Sequence, residues 1–197
     1  MVNKVKENKK RFFYPPEFFK MFEYLNRNGK FTAKFGMNTG GRIAELRGFK
    51  KNPLFDSQRC NIVLTKTKVR AKLGEYKPEP RTLPVGAKYF KELKRDIRTH
   101  RVLSTNAYNI QLKRACLKAK INRPEDFSSH NIRKTFATWM LSLGIAPGKV
   151  ADHLGHTEKV LKKDYATNDA FNDADKDMMI KFWGDLPKRL MPYRGLY

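Results

Sequence analysis

The segment Ser128-Ser129-His130-Asn131-Ile132-Arg133-Lys134-Thr135-Phe136-Ala137-Thr138-Trp139-Met140-Leu141 is the part of the chain around which the rest can be read. Serine suits a helix N-cap, because its side-chain oxygen can accept from one of the first unpaired backbone N–H groups. Apolar residues recur at Ile132, Phe136, Trp139 and Leu143, the spacing of a buried helical stripe, and Gly144 marks its end. His130 and Arg133 stand three residues apart, which stacks them on one face of the first turn. An imidazole and a guanidinium beside the open N–H groups of a helix start favour an anion such as a phosphate. Alone, such a pair is more often solvated surface, so its meaning depends on what lies before and after it.

The composition points the same way. Lys and Arg number 42 against 19 Asp and Glu, a net charge of +23 on 197 residues. A field of that size attracts polyanions, nucleic acid first among them. Hydrophobic residues at 40% and aromatics at 12% are enough for a packed core, which excludes a disordered basic tail. No run approaches the roughly 18 apolar residues of a membrane span, and the N-terminus has no apolar signal region. Cys60 and Cys116 are two and far apart, which fits a reducing compartment and no disulfide framework. The expectation is a DNA-associated protein of the cell interior, cytoplasmic and without a membrane partner.

Outward from the opening segment, the chain reads as mainly α with a small antiparallel sheet, an α+β fold. Residues 1–12 carry Lys4, Lys6, Lys9, Lys10 and Arg11 and are expected to form a flexible arm that contacts phosphates when DNA is present. Pro15-Pro16-Glu17 opens a helix with the stripe Phe18, Met21, Phe22 and Leu25, which Asn28-Gly29 is expected to close. A short helix from Phe31 to Met37 follows, then another after Thr39-Gly40-Gly41. The β-branched run Asn61 to Thr65 and the alternating Arg81 to Val85 predict two strands, joined by a long, lysine-rich, mobile hairpin. Helices are expected over 87–99, 106–119, 147–154, and again after Thr157. A last one runs from Asp169 to Trp183 with Phe171, Ala174, Met178 and Phe182 on one face.

Two further segments carry chemical interest, each weak singly. In Thr39-Gly40-Gly41-Arg42-Ile43-Ala44-Glu45-Leu46 an arginine follows a glycine turn at a helix start. Glu45 there reads as a buttress for an arginine or for the helix start rather than as an acid. In His153-Leu154-Gly155-His156 a glycine ends a helix, and Tyr165 stands nine residues beyond the second histidine. The two histidines have metal-ligand spacing, yet the cysteines are unpaired and no His-Glu-x-x-His run exists, which argues against zinc. No Gly-x-Ser-x-Gly elbow supports a serine hydrolase.

Taken in order, these segments resemble the tyrosine recombinase (phage integrase) family. Thr39 to Leu46 matches its Thr-Gly-x-Arg-x-x-Glu-Leu box, with Gly41 where the family usually has an apolar residue. His130 and Arg133 match its His-x-x-Arg, and Leu154-Gly155-His156 with Tyr165 match its last motif. The resemblance implies a metal-independent, cofactor-free enzyme that cleaves and rejoins double-stranded DNA through a 3′-phosphotyrosyl bond. Tyr165 would be the nucleophile, and Arg42 and Arg133 would clamp the non-bridging oxygens. His130 would act in acid–base transfer, and His156 would donate to the phosphate. A hairpin lysine would protonate the departing 5′ oxygen; Lys66 is the choice, with Lys68 and Lys72 close to it.

The implied domain runs over 13–185, after the basic arm of 1–12 and before a tail of 186–197. Residues 169–183 would meet a neighbouring protomer in a homo-oligomer on DNA, a tetramer in synapsis. The family's usual amino-terminal clamping domain does not fit in this length, so the chain is expected to be either a catalytic fragment or a compact recombinase. The rivals are a type IB topoisomerase-like enzyme that relaxes DNA and a non-catalytic DNA-binding protein on the same fold.

Overall fold

The computed structural model describes residues 11–66, 79–159, 161 and 171–191. Helices α1 (Pro15–Glu23), α2 (Arg27–Thr39) and α3 (Ile43–Lys51) lead into β1 (Phe55–Asp56), β2 (Asn61–Lys66) and β3 (Glu79–Pro84). Then come α4 (Ala87–Thr99), α5 (Thr105–Lys118), a 3₁₀ turn at Pro124–Asp126, α6 (Ser129–Ser142) and α7 (Pro147–Leu154). The last elements described are α8 (Asp173–Trp183) and α9 (Leu186–Leu190). The sheet is antiparallel in the order β1-β2-β3, with Ile62 opposite Leu83 and Lys66 opposite Glu79. None of the described helices is long and apolar enough to cross a membrane.

Helix α6 lies at the centre, and its sequence explains why. Residues Asn131 to Arg133 and Thr135 to Met140 are all buried, so the helix is wrapped on every side. Its apolar positions pack against α2, α7 and α8, with Trp139 edge-on to Phe18 and to Trp183. Its polar positions tie down the entering chain. Asn131 Nδ2 donates to Arg11 O (2.9 Å), Phe13 N donates to Thr135 Oγ1 (2.9 Å), and Trp139 Nε1 donates to Phe13 O (2.8 Å). These three side chains recur at i, i+4 and i+8, one line along the helix. They satisfy the backbone of a segment that has no strand partner of its own. The cap differs in detail from expectation. Asn131 Oδ1 reaches back to accept from both the main chain and the hydroxyl of Ser128 (2.8 Å each), so the serine hydroxyl donates rather than accepts.

The expected helices over 87–99 and 147–154 are observed with those limits, and 106–119 is observed one residue earlier. Asn28-Gly29 does not close the first helix. Asn26 is the N-cap of α2, accepting from Gly29 N at 2.9 Å, so Asn28 and Gly29 sit in its first turn. Gly29 is there for close approach, since a Cβ would fall 1.7 Å from Gln111 Oε1 on α5. The expected mobile hairpin falls on 67–78, outside the described residues; the helix expected after Thr157 is observed at 158, 159 and 161, and its continuation to Tyr165 lies outside them.

The apolar face assigned to the last long helix is observed in part: Phe171 is buried and Phe182 packs against the core, but the phase of the helix differs. Asn172 caps α8, and Asp175, Met179 and Trp183 are buried while Ala174 is exposed and Met178 only partly covered. Trp183 sets this phase, because its Nε1 donates to Met37 O (2.6 Å) inside the core. Packed residues also continue past both expected domain limits. Arg11 lies over the Phe127 ring at 4.5 Å, and Leu186 and Leu190 of α9 are buried.

Candidate functional site

Three remote segments meet where α3 begins, α6 begins and α7 ends. Gly40 closes α2 in the left-handed region, at φ 59°. A Cβ on it would fall 2.4 Å from Leu154 Cδ2. Gly41 is equally constrained: a Cβ there would meet Leu46 and Leu64 at 2.6 and 3.0 Å. Arg42 is the N-cap of α3, and its main chain donates to Glu45 Oε2 (3.0 Å) while its Nη1 donates to Glu45 Oε1 (3.0 Å). Glu45 is 1% exposed and holds a second cation, Arg81 of β3, through Nη2 at 2.7 Å. It is therefore the buttress expected of it.

Arg42 also reaches His156, with Nη2 donating to Nε2 at 3.0 Å. A guanidinium only donates, so Nε2 accepts and the neutral ring carries its proton on Nδ1. Burial pushes His156 down to about 4, and the charges of Arg133, Arg42 and His130 push the same way against Glu45. His156 is thus neutral through the physiological range. Glu45 stays below the ordinary carboxylate value: burial works to raise it, and the hydrogen bond and charge of Arg81, with Arg133 and the Arg42 main chain, prevail.

His130 and Arg133 do not stand side by side at the surface. His130 is exposed, whereas Arg133 is 1% exposed and turned inward. Its Nη1 donates to Gly40 O (2.6 Å) and its Nη2 to Leu154 O (2.5 Å). Those carbonyls lie two residues before Arg42 and two before His156, so one side chain braces both turns. Arg81 Nε donates to His153 O (3.2 Å), which leaves the last carbonyls of α7 held by two arginines. Cations are the side chains that suit the negative end of a helix.

His153 is not a surface residue or a partner of His156. It is 4% exposed and stacked on Phe136 at 5.1 Å, and burial, followed by the charges of Arg81 and Arg133, pushes it down to about 3. Among the described residues no group of three or more His, Cys, Asp or Glu side chains could hold a metal. Lys66 ends β2 opposite Glu79; Lys68, Lys72 and Tyr165 lie outside the described residues. No motif of the sequence singles out Arg81. Its signal was there, because it stands in phase with the buried Leu83 and Val85 and so points inward with them.

This architecture is the tyrosine recombinase catalytic fold. It is similar to the Tn1549 transposon integrase solved in complex with circular intermediate DNA, at 16% identity and TM-score 0.63, over 91% of this chain and 69% of that one. It is also similar to XerA recombinase (19% identity, TM-score 0.60, 87% of this chain and 64% of that one). The integrase from mycobacterium phage Brujita is a third such structure (13%, 0.55, 98% and 66%). This chain spans about two thirds of the length of each. No curated protein matches it in sequence. The chain belongs to the phage integrase family, whose pattern it matches over residues 15–171.

Proposed function

We propose that this chain is a site-specific DNA recombinase or integrase that cleaves and rejoins double-stranded DNA through a 3′-phosphotyrosyl intermediate on Tyr165. The observation that carries the reading is the joining of Arg42 and His156, 114 residues apart, by a 3.0 Å hydrogen bond. Arg133 braces the turns that present both. A phosphodiester at this point would meet one partly exposed guanidinium, a neutral imidazole and the buried charge of Arg133. Such prearranged positive charge favours a phosphorane more than the ground-state diester.

In this reading Tyr165 attacks phosphorus and the 5′ oxygen departs. The phosphotyrosyl bond then conserves the energy of the broken diester for rejoining. His130, exposed at the start of α6, assists the phenol in losing its proton. Lys66 protonates the leaving oxygen. The mechanism asks for no cofactor. A homo-oligomer, a tetramer in synapsis, would bring two such DNA duplexes together. The solved Tn1549 integrase, a protein in complex with circular intermediate DNA, supports DNA as the substrate here.

The test is a duplex with a nick just beyond the cleavage point, analysed on denaturing gels. Wild type should accumulate covalent protein–DNA adduct and Tyr165→Phe none, with duplex binding unchanged. Absence of adduct in wild type, with tight binding retained, would make the chain a non-catalytic DNA-binding protein. Relaxation of supercoils without sequence dependence would make it topoisomerase-like.

A further inference from the structure

We infer that Arg81 is a positioning residue for the cleavage site, holding Arg42 and His156 in their shared geometry and tying them to the hairpin base that carries Lys66. The inference rests on the recombinase reading for its consequence in catalysis, but its structural part stands on the free protein.

The guanidinium of Arg81 sits where three elements join. Its backbone is in β3, opposite Leu64 of β2 and two residues from Glu79, the partner of Lys66. Nη2 donates to Glu45 Oε2 at 2.7 Å, and Nε donates to His153 O at 3.2 Å. The side chain passes Gly155, the left-handed residue that turns the chain toward His156; a Cβ there would lie 3.5 Å from Arg81 Cδ. The side chain is 13% exposed, so these contacts are made largely out of water.

Glu45 explains why the effect would reach Arg42. The carboxylate is almost wholly buried and satisfied by two guanidinium groups, Arg81 on Oε2 and Arg42 on Oε1. Removal of Arg81 takes away the charged donor to Oε2 and leaves it the Arg42 main-chain N–H alone. Arg42 is already bonded to that carboxylate through Nη1 and has a second nitrogen able to supply a charged donor. Turning its second nitrogen onto Glu45 makes a two-pronged pair, the preferred arginine–carboxylate arrangement. That same nitrogen now bonds His156, so the movement breaks the 3.0 Å contact and withdraws a donor from the phosphate position. Loss of the bond to His153 O would also loosen the end of α7, directly before His156. Arg81 thus acts on the reaction through two other residues and touches no substrate.

The groups facing His156 are Arg42, Arg133, His130 and Glu45. Withdrawal of Arg42 would relieve one of the charges that hold the ring deprotonated. The experiment is side-chain NMR titration of His156 in the full chain without DNA, paired with adduct formation on the nicked duplex. In Arg81→Met the His156 midpoint should rise from about 4 toward the ordinary value. Adduct formation should fall about 10²-fold, the scale of a reacting group misplaced by an ångström. Duplex binding should hold. A merely structural role would lower the folded fraction and leave the midpoint of the folded molecules where it was. Should Arg81→Met not fold, Arg81→Lys decides: an ammonium makes one of the two contacts, and both readouts should be intermediate. An unchanged His156 midpoint in folded Arg81→Met, or wild-type values of both in Arg81→Lys, would overturn the assignment. A wild type without adduct sinks the recombinase reading instead, and the titration still decides Arg81.

Discussion

The aromatic heart of the molecule and the charged node beside it are built on the same helix by opposite rules. Around Trp139, the side chains of Phe13, Phe18, Phe136 and Trp183 share the burial, and no one contact carries the assembly. At the node each group depends on a named partner: Glu45 on Arg42 and Arg81, His156 on Arg42, the turns at Gly40 and Leu154 on Arg133. Apolar packing is non-directional and adds up over area, so it tolerates small displacement. Buried charges have direction and a desolvation cost, so the loss of one partner strands another. Damage to the core should therefore be read in stability alone, and damage to the node in chemistry as well.

That contrast can be broken most sharply at Trp139. Trp139→Ala should cost about 3–5 kcal/mol, from the cavity and the lost bond to Phe13 O. Urea unfolding measures it, and adduct formed per folded molecule should be nearly normal. Equal losses in both would merge the two regions into one. Arg42→Ala is the mirror experiment. Cleavage should fall about 10²–10³-fold, as when a prearranged donor to a developing charge is removed. The urea midpoint should move little, because Arg42 is 41% exposed and Glu45 keeps Arg81.

Acid should act on the node before the core. The folded values of His153 and His156 lie at about 3 and about 4, below the unfolded value near 6.5, so between those limits the unfolded chain binds more protons. Their stabilising contribution is complete above about pH 6.5 and lost as pH falls toward 3. Glu45, held below its ordinary value, adds to the loss at the acid end. Stability at pH 5 should be lower than at pH 7.5, by an amount on the order of 2 kcal/mol for a histidine as deeply buried as His153. A flat urea midpoint across that range would mean that these rings accept protons without unfolding. The smallest effect sharpens the comparison within α6. Asn131→Ala removes both the cap and the tether to Arg11, and should cost about 1 kcal/mol without changing cleavage chemistry.

The sequence alone determined the elements whose ends are written locally. Helices α4 and α7 were legible to the residue, because a glycine or proline at the start and an apolar stripe leave little choice. The motifs of Arg42, His130, Arg133 and His156 were legible as types in order, and Glu45 as a buttress. The tertiary structure alone decided which way those groups face. Arg133 is a charged residue in the first turns of a helix, where its type favours solvent, yet carbonyls 93 and 21 residues away draw it inside. Asn28-Gly29 carries a turn signal, yet the approach of Gln111 from α5 makes the glycine part of a helix. The phase of α8 was likewise set by Met37, 146 residues from Trp183. Periodicity and capping act over a few residues and can be read along the chain. The partners of a buried charge or an indole N–H come from other elements, and only the packed molecule brings them within reach.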